Sequence, residues 1–234
     1  MYRARVQQLV ASRWNSLPNV VERWSVTNAV LAVAAAAVSV GVHDVRPLLL
    51  ICVSSLAWLC FRAAPRGVGI ASAITAGRMS ILCAAIGFVP ARGAWVAGAA
   101  FVNFTLDGVD GWAARKFGQT SEFGARLDME SDSHSVLLLD VLLVAHAGYP
   151  AWVLWAGVLR YAFVLSRFAA GPRELRERRS QLTRWIFSLV FVSRTFACLP
   201  GVHAVAVPLL AVATLAVTAS FAPDFYALRP GSRA

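Results

Sequence analysis

Hydrophobic residues fall along this chain in long runs that are separated by short polar, glycine- or proline-containing stretches. The apolar segments run over about 26–43, 47–61, 67–90, 94–114, 125–147, 151–168, 185–199 and 203–221. Most of them approach the ~20 residues that a helix needs to cross a bilayer, and the second is the shortest at ~15. The connections at 91–93, 148–150 and 200–202 suit tight turns between antiparallel helices. The pattern predicts an all-α integral membrane bundle of about eight spans.

Basic residues are distributed unequally between alternate connections. With eight spans, one side receives both termini, Arg62 and Arg66, and the basic run at 171–184, whereas the other side receives only Arg46 and Arg92. Because basic loops stay in the cytoplasm, this bias predicts that both termini lie inside. Removing the first two spans as a pair leaves the bias intact, whereas removing any single span destroys it. The bundle therefore has a six-span core and an N-terminal pair.

The expected organisation has four parts. They are an interfacial segment at 1–25, an accessory transmembrane pair at 26–62, a core at 63–222 and a cytoplasmic tail at 223–234. The first part combines arginines with apolar residues near helical spacing, which fits an amphipathic helix on the membrane surface. A loose basic arm fits equally well, and no apolar run typical of a cleavable signal peptide is found there.

Composition supports a membrane protein over a soluble one. Hydrophobic residues make up 58% of the 234 positions, charged residues only 15%, and the mean hydropathy is +0.62. The net charge of +10 comes from arginines that lie mostly between apolar segments. Anionic lipids and orientation in the membrane explain this charge better than nucleic acid does. The four cysteines lie in apolar segments without metal-type spacing, so we expect reduced packing residues.

Acidic residues are concentrated where the fourth segment ends and the fifth begins, at Asp107, Asp110, Asp128 and Asp132. Each would cost about 2.5–3.5 kcal/mol inside a bilayer, so water or cations must offset the cluster. The first two are i,i+3 neighbours and the last two are i,i+4 neighbours, so each pair shares one helix face. Carboxylate oxygens are hard ligands that suit Mg²⁺ or Mn²⁺. We expect two such ions, bound between the two helices.

The acids belong to a longer pattern, D-x-x-D-G-x-x-A-R, eight residues, then G-x-x-x-D-x-x-x-D. Its positions are filled by Asp107, Asp110, Gly111, Ala114, Arg115, Gly124, Asp128 and Asp132. In this pattern the chain resembles the CDP-alcohol phosphotransferase family, integral membrane enzymes of phospholipid synthesis. Upstream, Thr75 and Arg78 are similar to an I-T-x-x-R run in the first core helix of that family. The resemblance covers about 67–221 and leaves the first two spans outside.

The resemblance implies transfer of a phosphatidyl group from CDP-diacylglycerol to an alcohol, with release of CMP. It implies that Asp107, Asp110 and Asp128 hold metal ions. Asp132 would be the general base that takes the proton of the acceptor hydroxyl, and would also contact a metal. The expected CDP- and diphosphate-binding residues are Gly111, Ala114, Arg115, Gly124, Thr75 and Arg78. For Arg78, pairing with the aspartates and contact with phosphate are both open.

Arginines also occur inside the later spans, at Arg160, Arg167 and Arg194. Charged residues within spans are candidates for function. The functional interpretation is a basic pocket for a phosphorylated acceptor, with glycerol 3-phosphate placed first. Serine, inositol or an amino alcohol are the alternative acceptors. Snorkelling to the cytoplasmic surface is the structural alternative for these side chains.

Four further questions remain open from the sequence. His134 either contacts substrate or packs in the bundle, and Glu130, off the face of the aspartates, is either solvated or structural. A cation transporter would place acids on several separated helices at mid-membrane depth, whereas here they lie on two consecutive helices near one end. A scaffold without activity would not need the complete pattern. The expected location is a bacterial-type inner or plasma membrane, with membrane lipids and a second copy of the chain as further partners.

Overall fold

The computed structural model describes residues 20–63, 70–88, 93–116, 122–171 and 181–228, and within these ranges the chain is helical without strands. A 3₁₀ turn at Ala151–Val153 leads into the sixth helix. The helices are α1 (Val20–Gly41), α2 (Arg46–Ala63), α3 (Ile70–Phe88), α4 (Gly93–Lys116), α5 (Glu122–His146), α6 (Leu154–Ala170), α7 (Gln181–Ala197) and α8 (His203–Ala227). Each predicted apolar segment is thereby confirmed as a helix.

Helix boundaries follow local chemistry as well as hydrophobicity. The first helix begins at Val20, earlier than the apolar segment, because the mixed sequence before residue 26 continues the same helix. Between α1 and α2, the Asp44 carboxylate accepts a hydrogen bond of 2.9 Å from the backbone N–H of Arg46. The hydroxyl of Ser39 accepts another from the N–H of Leu48 at 3.1 Å. These bonds satisfy backbone donors at the start of α2. The arm at 1–19 lies outside the described residues.

Three helical stretches among the described residues are long and apolar enough to cross a membrane, at Glu22–Gly41, Ala151–Ala170 and His203–Ala227. Two shorter helical stretches, Arg46–Phe61 and Ser72–Phe88, are also apolar. The structure is therefore that of a helical membrane protein, while the count of eight spans stays a prediction. The acids of α4 and α5 lower the mean hydropathy of those two helices.

Helix α5 lies at the centre of the bundle and packs against α1, α2, α3, α6 and α7. Its second half, from Val136 to Leu143, is buried throughout. All eight helices contribute to one hydrophobic core, for example through Ala29, Leu48, Leu82, Val96, Leu138, Leu159, Val190 and Leu210. The two N-terminal helices are therefore integrated into the bundle rather than appended to it.

A buried ion pair joins the last four helices. The Nε of Arg194 lies 3.0 Å from Oδ1 of Asp140, and both side chains are 0% exposed. Oδ2 of Asp140 accepts a 2.9 Å hydrogen bond from the backbone N–H of Gly157, and Nη2 of Arg194 donates to Thr214 at 2.9 Å. A Cβ on Gly157 would come within 2.8 Å of the Leu137 Cα, so glycine is what allows α5 and α6 to approach here.

Candidate metal centre

Three aspartates converge from α4 and α5. Oxygen atoms of Asp107, Asp128 and Asp132 all lie within 4.8 Å of one another. Asp128 and Asp132 are four residues apart on α5 and therefore project from the same face. The three side chains are 37%, 40% and 20% exposed, so the cluster is open to solutes on one side. The predicted convergence of these acids is what the structure shows.

A third helix completes the cluster. Arg78 on α3 is only 2% exposed, and its Nη1 lies 3.0 Å from Asp107. Its Nη2 lies 2.6 Å from Asp128 and 3.0 Å from Asp132. Nη1 also donates to Oδ1 of Asn103 at 3.3 Å. Of the two contacts considered for Arg78 from the sequence, pairing with the aspartates is the one that the structure shows.

The carboxylate cluster fits a divalent cation by chemistry and by size. One guanidinium faces three carboxylates among the described residues, so negative charge is in excess. Oxygen is the ligand atom that Mg²⁺ and Mn²⁺ prefer. Mg²⁺–oxygen bonds of about 2.1 Å place ligand oxygens at most about 4.2 Å apart. The three aspartate oxygens lie within 4.8 Å of one another, close to that limit.

Other predicted site residues are only partly visible. Asp110, Gly111, Ala114 and Arg115 belong to the last turns of α4, and their side chains lie outside the described residues. Gly124 stands one turn before Asp128 on α5. Thr75 is buried on α3, one turn before Arg78. Their assignment to nucleotide or diphosphate stays a prediction.

The three intramembrane arginines do not form one basic pocket. Arg160 places Nη2 2.6 Å from Oε1 of the buried Glu130, and Arg194 is held by Asp140. The side chain of Arg167 is half-buried and makes no hydrogen bond or ion pair within the described part of the chain. Two of the three positive charges are therefore compensated by buried acids, and acceptor binding by these residues stays a prediction.

Sequence reasoning missed one of the acids that organise this region, Asp140. Asp140 lies in the run SVLLLDVLLVA, and Arg194 lies alone in another apolar helix. Two isolated opposite charges within spans are a signal for an ion pair. The sequence left Glu130 as either solvated or structural, and the structure shows that it is buried. His134 is fully buried and lies 3.2 Å from Asn28, so it packs in the bundle.

Comparison with known proteins gives consistent matches. Residues 68–220 match the family model described as CDP-alcohol phosphatidyltransferase. The chain is 34% identical over 104 residues to CDP-diacylglycerol–inositol 3-phosphatidyltransferase 1 of Arabidopsis thaliana, covering 42% of this chain and 44% of that protein. It is 32% identical over 122 residues to the probable CDP-diacylglycerol–inositol 3-phosphatidyltransferase 2 of the same plant, covering 49% and 53%. The matches thus span about half the length of these relatives. No solved structure matches the chain.

Proposed function

The chain belongs to the CDP-alcohol phosphatidyltransferase family, and we propose that it transfers the phosphatidyl group of CDP-diacylglycerol to inositol with release of CMP. Members of this family are membrane transferases of phospholipid synthesis. The observation that carries the proposal is the convergence of Asp107, Asp128 and Asp132 around Arg78. A diphosphate substrate needs such a concentration of cation-binding oxygens because its own charge must be neutralised.

Inositol replaces glycerol 3-phosphate as the favoured acceptor for two reasons. The names of both relatives specify inositol. In addition, Glu130 and Asp140 already compensate Arg160 and Arg194, so these arginines offer less net charge to an acceptor phosphate. An uncharged polyol does not require that charge. The phosphorylated acceptor that the sequence placed first therefore becomes the second candidate, supported by Arg167 alone.

The metal role falls to Asp107, Asp110 and Asp128, with Asp132 beside them. A bound Mg²⁺ or Mn²⁺ pair would neutralise the negative charge that develops on the departing CMP. Arg78 keeps the three described carboxylates close together despite their mutual repulsion, through contacts of 2.6–3.0 Å. Gly111, Ala114 and Gly124 would leave room for the nucleotide, and Arg115 would donate to its phosphates.

Asp132 is the proposed general base. Its Oδ1 is held by Arg78, and its Oδ2 makes no hydrogen bond to the described residues, which leaves that oxygen for a hydroxyl proton. The inositol oxygen then forms a bond to the β-phosphorus while its proton passes to Asp132. The bond from the β-phosphorus to the bridging oxygen breaks, and CMP leaves with that electron pair. Atoms and charge balance without a further reactant.

The proposal includes the membrane arrangement predicted from the sequence. It has eight spans, both termini in the cytoplasm and the aspartate cluster near the cytoplasmic surface of an inner or plasma membrane. In this proposed arrangement the basic connections that favour the orientation would share the cytoplasmic side with the N-terminal end of α5. The four-part division of the chain and a homodimer stay predictions.

An acceptor panel tests the proposed function. Purified protein would be reconstituted with CDP-diacylglycerol and Mg²⁺ or Mn²⁺, and offered inositol, inositol 1-phosphate, glycerol 3-phosphate or serine in separate reactions. We expect CMP and a matching lipid product with inositol, and loss of both when a chelator removes the metal. Product formed only from inositol 1-phosphate or glycerol 3-phosphate would overturn the choice of acceptor. No CMP from any acceptor would overturn the proposed activity.

A further inference from the structure

The two N-terminal helices lie outside the residues that match the family, yet they contact α5, the helix that carries Asp128 and Asp132. We propose that α1 and α2 position this helix through a buried polar network centred on Asn28, and that Asn28 and Glu130 are positioning residues for the metal-binding aspartates. The inference rests on the proposed function only in assigning a metal ion to those aspartates.

Residues that belong to two opposite faces of α5 alternate along its sequence. Asp128 and Asp132 point toward Arg78 on α3. Glu130 and His134 instead contact Asn28 on α1. With 3.6 residues per turn, Glu130 lies about 160–200° around the helix from Asp128 and Asp132. The contacts of one face therefore determine the direction of the other.

The network consists of short, directional contacts between buried groups. Nδ2 of Asn28 donates to Oε2 of Glu130 at 3.1 Å, and Oδ1 of Asn28 lies 3.2 Å from Nε2 of His134. Ser55 on α2 donates to the same Oδ1 at 2.6 Å, which fixes the orientation of the amide. Arg160 on α6 closes the network through Oε1 of Glu130 at 2.6 Å. Asn28 thus joins α1, α2 and α5 through three of its polar contacts.

Further contacts between α5 and the N-terminal helices extend toward the start of α5. Leu127 packs in a small hydrophobic cluster with Trp24 and Leu59. The rings of Trp24 and Trp58 are stacked with centroids 6.3 Å apart. Leu127 is the residue immediately before Asp128, so this cluster restrains the backbone next to a proposed metal ligand. The N-terminal pair therefore contacts α5 over the same turns that carry the aspartates.

Directional bonds are needed here because hydrophobic contact alone would not fix the rotation of α5. Apolar side chains tolerate repacking, whereas a buried hydrogen-bond network has few satisfactory arrangements. A slip of one residue would rotate the face by about 100° and move it about 1.5 Å. Such a change would separate Asp128 from the 2.6 Å contact with Arg78. Removing a group that bonds directly to a metal ligand typically changes metal affinity or activity by about 10–100-fold. Asn28 and Glu130 act one step further away, through the backbone of α5, so we expect effects near the lower end of that range.

The test measures metal binding without turnover. The full chain in lipid nanodiscs would be titrated with Mn²⁺ in the presence of CDP, and free Mn²⁺ would be followed by electron paramagnetic resonance. We expect Asn28→Ala and Glu130→Gln each to raise the apparent Kd for Mn²⁺ about tenfold or more. Thr27→Ala is the matched control, because Thr27 is exposed and bonds only to the backbone of its own helix. It should leave the Kd unchanged.

Two further variants separate positioning from simple stability. The double variant Asn28→Asp with Glu130→Gln exchanges donor and acceptor across the contact and should restore most of the Mn²⁺ affinity. Ser55→Ala, which removes only the contact that orients the Asn28 amide, should raise the Kd about twofold to threefold and should fold even if Asn28→Ala does not. Thermal unfolding of every variant would be recorded in the same nanodiscs.

The outcomes distinguish this inference from the proposed function. If the variants unfold at lower temperature but bind Mn²⁺ as wild type does, the network is structural only and the inference is wrong. If wild type binds no Mn²⁺ with CDP, there is no site to position and the inference is wrong as well. If Mn²⁺ binding follows the expected order while no acceptor gives CMP, the proposed transfer reaction fails and the positioning role stands.

Discussion

A single arginine decides how the aspartates are arranged. Carboxylates within 4.8 Å of one another repel strongly in a partly buried site, and Arg78 offsets this with contacts to Asp107, Asp128 and Asp132. Its position is in turn fixed by Asn103, whose amide donates to Ser135 at 2.9 Å. The cluster can therefore be preformed before any cation or substrate arrives. Preformed charge complementarity of this kind is what phosphoryl-transfer sites depend on.

At this scale the sharpest prediction concerns Asp132. Asp132→Asn keeps the size of the side chain but cannot take a proton, so CMP release should fall about 10²-fold or more. The measurement is the initial rate of CMP release at saturating metal and acceptor. Asp44→Asn is the matched control, because it is the same chemical change in the turn between α1 and α2. The Asp44→Asn protein should keep full activity.

Folding of the Asp132→Asn protein would be checked by its thermal unfolding transition. An active Asp132→Asn protein with an unchanged rate would show that another group accepts the proton. Loss of activity together with loss of the folded state would instead point to the ion pair with Arg78 as the main role of Asp132.

At the scale of helices, the sequence identifies the elements but not all of their partners. Apolar runs predict the eight helices of the described ranges because each helix has an apolar surface that it buries in the bundle or exposes to lipid. The convergence of Asp128 and Asp132 also follows from helical spacing alone. Pairing across helices is different, since Glu130 with Arg160 and Asp140 with Arg194 depend on tertiary packing. The pairing of Arg160 and Arg194 with buried acids was therefore beyond what periodicity predicts, and the acceptor pocket expected from the arginines stays a prediction.

The ion pair of Asp140 and Arg194 gives the prediction for this scale. Arg194→Met leaves the fully buried Asp140 carboxylate without its charged partner, so unfolding free energy should fall by about 3–5 kcal/mol. Equilibrium unfolding in mixed detergent micelles would measure the change. Arg184→Met, an exposed position in the first turn of α7, should change stability by less than about 0.5 kcal/mol.

A double variant tests the mechanism of that loss. Arg194→Met combined with Asp140→Leu removes both charges and should recover a substantial part of the stability. The fraction of the Arg194→Met protein that stays folded should have the wild-type KM for inositol. A selective rise of that KM, with little change in stability, would restore Arg194 to the acceptor pocket.

At the scale of the whole molecule, the two halves of α5 have different roles. The aspartate cluster lies in the first half of α5, and the second half of that helix is buried throughout, with mostly apolar side chains around the ion pair of Asp140. One helix thus carries both the polar site and the centre of the hydrophobic core. The N-terminal pair covers the face of α5 that carries Glu130 and His134, and it supplies Asn28 as a partner for both side chains. The accessory helices and the site are therefore one unit in physical terms.

Orientation in the membrane is the last property to follow from the whole chain. The charge bias predicts that the connection after α5 faces outward and that the start of α7 faces the cytoplasm. In a background with all native cysteines replaced by alanine, Ala147→Cys and Leu182→Cys would be exposed reporters for these two sides. A membrane-impermeant maleimide should label Ala147→Cys in intact cells and Leu182→Cys only in inverted vesicles.

The opposite labelling would place the aspartates, near the start of α5, on the outer side. Labelling of both from one side would mean that α6 does not cross the membrane, which would contradict the predicted span count. The opposite labelling would therefore remove the cytoplasmic site from the proposal, while agreement would place the metal centre and the basic connections at the same membrane surface.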